Sequence, residues 1–134
     1  MTLESIHTVD APQAIGPYSQ AMRCGEWIFC SGQIPIDPHT NQPELFAGDV
    51  ALQTALALSN LSAVLQAAGA SLAHVVKTTV FLTSMQDFAA MNVVYEKYFA
   101  PHRPARSCVA VAQLPKNVAV EIDAVAVRSD ASAR

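Results

Sequence analysis

From Pro104 to Val127 the chain reads PARSCVAVAQLPKNVAVEIDAVAV, two runs of alternating residues separated by a Leu-Pro-Lys-Asn turn. Runs with a period of two are strands, and the charges set among them restrict how such strands can be covered. On the first run Arg106 and Cys108 alternate with Ser107, Val109 and Val111; on the second Glu121 and Asp123 alternate with Val120, Ile122 and Ala124. Successive side chains of a strand point to opposite faces. With the apolar face of each strand on the core, Arg106, Cys108, Glu121 and Asp123 share the other face of the sheet, and chemistry is to be sought there.

The rest of the chain supplies a sheet and its cover. A short strand near Ile6 precedes a hairpin, Ser19 to Cys24 and Trp27 to Ser31, turning at Gly25-Glu26. A Pro- and Asn-rich loop runs from Pro35 to Pro43. Asp49 to Ala68 then carries Leu58, Leu61, Leu65 and Ala68 at helical spacing and stops at Gly69. Val75 to Thr83 is a β-branched strand. Ser84-x-x-Asp87 resembles a capping box opening a second helix, with Phe88, Met91, Tyr95 and Tyr98 on one stripe and Pro101 past its end. Strands around 105–111 and 118–127 follow, and Ser129 to Arg134 reads as a disordered tail. The order is that of an α+β layer: one mixed six-stranded sheet whose two helices cover one face. The other face, expected to carry Ala110, Ala119, Val125 and Val127 beside the polar residues, is too apolar to stay wet, and self-association is the simplest cover.

At 134 residues the chain is a single domain, 1–134, able to bury roughly two thirds of its unfolded surface. Hydrophobic residues make up 51% and charged ones 14%, an apolar excess that again points to another subunit. A net charge of −3 with scattered basic residues argues against nonspecific nucleic-acid binding. Uninterrupted apolar runs fall well short of the ~20 residues of a membrane span, and the first ten residues lack a basic flank and an apolar stretch, so a soluble, cytoplasmic protein is expected. Three cysteines, Cys24, Cys30 and Cys108, form no C-x-x-C pair, and the four histidines are dispersed, so neither a disulfide framework nor a metal site is expected.

Several residues admit two readings. Arg106 is either a structural ion-pair partner of Glu121 or Asp123 or an anchor for a ligand carboxylate. Glu121 is either an interface hydrogen-bond partner or a base beside water. Cys108 has no histidine near it in sequence to act as its base, so pocket lining is favoured over nucleophilic attack. Asn92 reads as a cap or loop anchor, Asp123 as structural. Tyr18 follows the rigid Gly16-Pro17 turn, and at Ser31-Gly32 a glycine would let a ligand approach the backbone.

Gly16-Pro17-Tyr18-Ser19-Gln20-Ala21, Ser31-Gly32-Gln33-Ile34, Asn92, Pro104-Ala105-Arg106-Ser107-Cys108-Val109, Leu114-Pro115 and Val120-Glu121-Ile122 together resemble the reactive-intermediate deaminase (Rid) family, RidA type, over nearly the whole chain. Asp123 departs from the longer Glu common there. The resemblance implies a chorismate-mutase-like fold, a homotrimer, and sites between adjacent subunits. It implies cofactor-free hydrolysis of 2-imino acids, released as enamines by pyridoxal-phosphate enzymes, to 2-oxo acids and ammonia. In this pattern Arg106 holds the substrate carboxylate, Glu121 acts with the attacking water, and Tyr18, Ser31, Gly32, Asn92 and Cys108 line the pocket. Competing functions are a small-carboxylate-binding or regulatory module without turnover, and a ribonuclease or translation inhibitor, which the acidic charge balance opposes.

Overall fold

The computed structural model describes residues 2–128, so the tail expected at 129–134 lies outside the described residues. In chain order the elements are β1 (Leu3–Ile6), β2 (Ala21–Cys24), β3 (Trp27–Gln33), the short pair β4 (Ile36–Asp37) and β5 (Gln42–Pro43), α1 (Val50–Ala67), β6 (Val75–Leu82), α2 (Phe88–Phe99), β7 (Ala105–Ala110) and β8 (Val120–Val127). Six strands make one sheet in the order β1-β2-β3-β8-β6-β7, antiparallel throughout except for the parallel pair β6–β7, which α2 connects. The loop expected between Pro35 and Pro43 closes instead as the small β4–β5 sheet. Gly25, at φ 61, supplies the left-handed turn of the β2–β3 hairpin.

Helix α1 starts where expected, because Asp49 accepts a hydrogen bond from the Leu52 backbone N–H at 3.2 Å, and it ends at Gly69 with φ +91. Its leucines 58, 61 and 65 are fully buried, each contributing about 2 kcal/mol by removing apolar surface from water. At 18 residues α1 is long and apolar enough to cross a membrane, yet half of it is buried inside the fold, as in a core helix. Its buried polar side chains tie it to the loops around it. Asn60 donates to the carbonyls of Ile34 and Ile36, while Gln53 donates to Leu45 O and accepts from the Ala119 N–H. These bonds fix the end of β3 and the start of β8.

Only half of the expected capping box forms at α2. Ser84 Oγ accepts from the Gln86 N–H, a single tight turn over Met85–Asp87 follows, and the helix proper begins at Phe88. Met91, Tyr95 and Phe99 are its buried residues. Tyr98, expected on this stripe, is exposed, while Tyr95 and Phe99 take the buried positions.

The strand faces differ from the expectation in one respect that decides where the chemistry lies. On β8, Val120, Ile122, Ala124 and Ala126 face the helices and are buried, which leaves Glu121, Asp123, Val125 and Val127 on the open face, as expected. On β7 the parity is reversed. Arg106 pairs with Thr78 and Cys108 with Val80, and these same residues pair with Ala124 and Ile122 on β8, so Arg106, Cys108 and Ala110 lie on the helix side. Ser107 and Val109 take the open face beside Thr79 and Phe81. Ala119, also expected on the open face, packs against the core. The open face is nonetheless apolar, with Phe29 paired to Val125, and Trp27, Phe29 and Val109 each 43–50% exposed.

Candidate active site

Because Arg106 and Glu121 emerge on opposite faces, the seven expected site residues fall into two groups. The first is built where β7 passes α2. Phe88, Asn92 and Tyr95 follow one another at intervals of four and three along one stripe of the helix, and the Arg106 side chain lies against that stripe. Its Nη1 donates to Asn92 Oδ1 at 2.6 Å, and its guanidinium carbon stands 4.8 Å from the Tyr95 ring centroid and 5.4 Å from that of Phe88. Asn92 is therefore neither a cap nor a loop anchor. The ion pair of Arg106 with Glu121 or Asp123 is also overturned, since both carboxylates lie on the far face of the sheet. A cleft of about 670 Å³ opens beside Arg106 and Asn92, with Lys97 and Arg103 on its wall. Cys108 sits two residues further along the same face. Burial pushes its thiol up and the Arg106 charge only partly offsets this, so the protonated form, a poor nucleophile, is favoured.

The second group surrounds Glu121. Tyr18, Ser31, Gly32 and Glu121 line one cavity of about 540 Å³, joined by Gln33 and Lys116. Its outer wall is held by Gln20, buried to 2% exposure, which donates to the carbonyls of Thr8, Ala11 and Pro12 and accepts from the Thr8 N–H. Tyr18, 55% exposed, projects from the chain leading into β2, and its N–H donates to Gly16 O. Ser31 Oγ donates to Ser19 O at 2.6 Å, which commits its proton to the fold and leaves its oxygen able to accept.

Gly32 acts differently from the expectation. The space a side chain would fill is taken by Glu121 itself: a Cβ built on Gly32 would stand 2.0 Å from Oε2 and 2.8 Å from Cδ of that residue. The missing side chain makes room for the carboxylate, not only for a ligand. Burial is the main influence that raises the Glu121 pKa above the usual carboxylate value, and the like charge of Asp123 adds to it. Asp123 is structural as expected, since its Oδ1 accepts from the Thr79 N–H at 3.1 Å.

Three contributors escaped sequence reasoning. Phe88 and Tyr95 read as helix core because a stripe of aromatic residues has the same period whether it meets leucine or a guanidinium. Lys116 stands in a turn where it and Asn117 both take left-handed backbone, φ 60 and 59; the Pro-Lys-Asn turn was visible, but its lean toward the cavity was not. Among the described residues no three His, Cys, Asp or Glu side chains gather as metal ligands.

The family described as Endoribonuclease L-PSP matches residues 8–128. The chain belongs to this family, the YjgF or Rid family. A RutC family protein of Pyrococcus horikoshii is 52% identical, the match covering 92% of this chain and 96% of that relative. The 2-iminobutanoate/2-iminopropanoate deaminase of Escherichia coli K12 is 48% identical over 93% of this chain and 98% of its own. Among solved structures, E. coli TdcF with bound serine superposes with a TM-score of 0.87 at 47% identity, covering 94% of this chain and 99% of that one. The mixed sheet with two helices on one face is thus the fold of the YjgF structures, and the kinship with the deaminases supports imine deamination.

Proposed function

We propose that this Rid-family protein hydrolyses 2-imino acids to 2-oxo acids and ammonia, at sites that two copies of the chain complete together. The observation that carries this reading is the separation of two chemically complementary half-sites: a guanidinium held by Asn92 and two aromatic rings on one face, and a desolvated carboxylate above Gly32 on the other. One substrate cannot touch both within one chain. A closed ring of copies, packed through the open sheet face that exposes Trp27, Phe29 and Val109, brings the Arg106 half of one subunit to the Glu121 half of the next.

In such a border Arg106 receives the substrate carboxylate through two parallel hydrogen bonds, fixing the adjacent C=N carbon. Ionised Glu121 takes a proton from water as its oxygen bonds to that carbon. Glu121 passes that proton to the nitrogen, forming the carbinolamine. The carbinolamine gives its hydroxyl proton, through Glu121, to the amino group as the C–N bond breaks, releasing ammonia and leaving the 2-oxo acid with Glu121 ionised again. Atoms balance with water as the only co-reactant, so positioning and charge placement suffice. The wall residues Tyr18, Ser31 and Lys116 offer further polar groups to substrate and water.

A carboxylate-binding module without turnover is the second reading, favoured by the serine held in the related TdcF structure. Glu121 separates the two. A carboxylate placed beside a bound carboxylate weakens binding by like-charge repulsion, whereas a hydrolase needs it next to water. A ribonuclease role, suggested by the family's description, meets a chain of net charge −3 with few basic residues to hold a phosphate backbone. The test is to generate 2-iminobutanoate and 2-iminopropanoate in situ and follow their decay. Acceleration proportional to protein, lost in Glu121→Gln, supports the hydrolase; unchanged decay together with measurable binding of 2-oxobutanoate leaves the binder.

A further inference from the structure

Tyr95 carries more fixation than a residue filling a core needs. It is only 7% exposed, its ring lies 4.5 Å from that of Phe99, and its hydroxyl pairs with Thr78 Oγ1 at 2.7 Å. Thr78 is itself fully buried on β6, and in the β6–β7 register it stands directly opposite Arg106. A phenylalanine would fill the same volume. The hydroxyl adds an anchor that fixes the ring plane from below, at the strand position beside the arginine it supports.

The guanidinium is planar and rests over that fixed ring, with Phe88 as a second aromatic wall and Asn92 accepting one of its N–H bonds. A guanidinium held by its faces keeps its donors directed in its own plane, the arrangement that a carboxylate fork requires. The Arg106 charge also acts on the Tyr95 phenol, so the two groups are electrostatically coupled as well as stacked.

We propose that Tyr95, locked by Thr78, is a positioning residue that orients the Arg106 guanidinium for the ligand carboxylate. The inference rests on the reading of Arg106 as the carboxylate anchor and adds the residue that sets its geometry. Its hydroxyl is committed to Thr78 and its ring to the guanidinium at the wall of the cleft, so Tyr95 acts through Arg106.

The test measures KM and kcat for 2-iminobutanoate, and calorimetric binding of 2-oxobutanoate, in the wild type and in Tyr95→Leu, Tyr95→Phe and Leu61→Ala. Leu61 is fully buried on α1 and serves as a core control, since its cavity lowers stability while the residues of the α2 stripe stay unchanged. Tyr95→Leu removes the ring face, and its KM and its dissociation constant for 2-oxobutanoate should both rise about tenfold, with kcat within about threefold. Tyr95→Phe keeps the face and frees only the lock, so it should lie between wild type and the leucine variant. Leu61→Ala should lower the melting temperature while leaving KM unchanged. Equal effects on KM in Leu61→Ala and Tyr95→Leu, or a Tyr95→Leu loss confined to kcat, would overturn the proposal by showing a general packing role. If Tyr95→Leu does not fold, Tyr95→Phe and Phe88→Leu answer the same question, and unchanged KM in both overturns it. Wild-type protein that binds 2-oxobutanoate but turns over no imine removes the hydrolase reading and leaves the clamp testable by binding. Wild-type protein that binds no carboxylate removes both.

Discussion

Gly32→Ala tests the Glu121 carboxylate more directly than any change to Glu121 itself, because it moves the group without altering its chemistry. The added methyl would lie 2.0 Å from Oε2, and reaching an ordinary contact of 3.4 Å demands a retreat of roughly 1.4 Å. The backbone at Gly32 is not in the left-handed region, so alanine brings no conformational strain. The crowded atoms are the end of a flexible side chain, which can swing away by rotating about its own bonds. Stability should therefore change little, within about 1 kcal/mol. Catalysis is far less tolerant: a misplacement of about 1 Å costs on the order of 10²-fold, near 2.7 kcal/mol of transition-state stabilisation. The assay pairs kcat/KM on 2-iminobutanoate with a thermal melt. Full activity in a folded Gly32→Ala protein would refute the reasoning, since it would mean that the carboxylate position above Gly32 is not the working one.

The electrostatics of the same cavity give two further expectations. Glu121 must be ionised to take a proton, and its pKa is raised by burial and then by Asp123, so the acid limb of kcat/KM should lie above the ordinary carboxylate range. Asp123→Asn removes the like charge while keeping an acceptor for the Thr79 N–H, and should move that limb to lower pH; an unmoved or upward-moved limb in the pH–rate profile contradicts the coupling. A carboxyl whose folded pKa exceeds its unfolded one stabilises the fold fully below the unfolded value, and this contribution is lost as pH rises through the folded value. Glu121→Gln should therefore melt no lower than wild type at neutral pH, with a flatter dependence of melting temperature on pH, while turnover falls about 10²-fold. Cys108→Ala should keep kcat/KM within about threefold, because the thiol is held protonated and only packing is lost; an inactive variant, with an adduct seen by mass spectrometry, would reinstate a nucleophile.

The fold was legible because its strongest signals are local. Asp49 and Gly69 bound α1, Gly25 turns the hairpin, and the clean alternation of β8 fixes its inward residues. The parity of β7 was not legible. On a strand covered by helices, apolar residues mark the inner face; at the edge of this sheet Val109 faces outward and an arginine faces the helix. The rule fails there because Arg106 is accommodated by aromatic rings and Asn92 on the helix side, and because the open face carries apolar residues without cover from its own chain. Asn92, read as an anchor, belongs to the same error, and Tyr95, core as read, meets Arg106 as well: a helix stripe shows its period in the sequence but not the partner it meets. The Glu121 side was read correctly, since β8 is central and its two charges had only one face to occupy. The residues grouped on one face thus divide between two faces of the sheet, and that division is itself informative.

If each working site joins Arg106 of one subunit to Glu121 of its neighbour, damage to the two residues should be separable between chains. Arg106→Lys keeps the charge but loses the planar fork, and should cost about 2–4 kcal/mol of transition-state stabilisation; Glu121→Gln removes the base. Homo-oligomers of either variant are then nearly inactive. Co-expressing the two with different tags and isolating assemblies that carry both gives rings of mixed composition. In a three-membered ring containing both variants, one border pairs an intact Arg106 with an intact Glu121, whichever variant is in excess. Activity should return to about one third of wild type. Sites contained within one chain predict no recovery, since every chain would remain defective. Mixed assemblies as inactive as the parents would thus reject the shared site, and the absence of any assembly beyond a 14.3 kDa monomer in sedimentation would reject the ring itself.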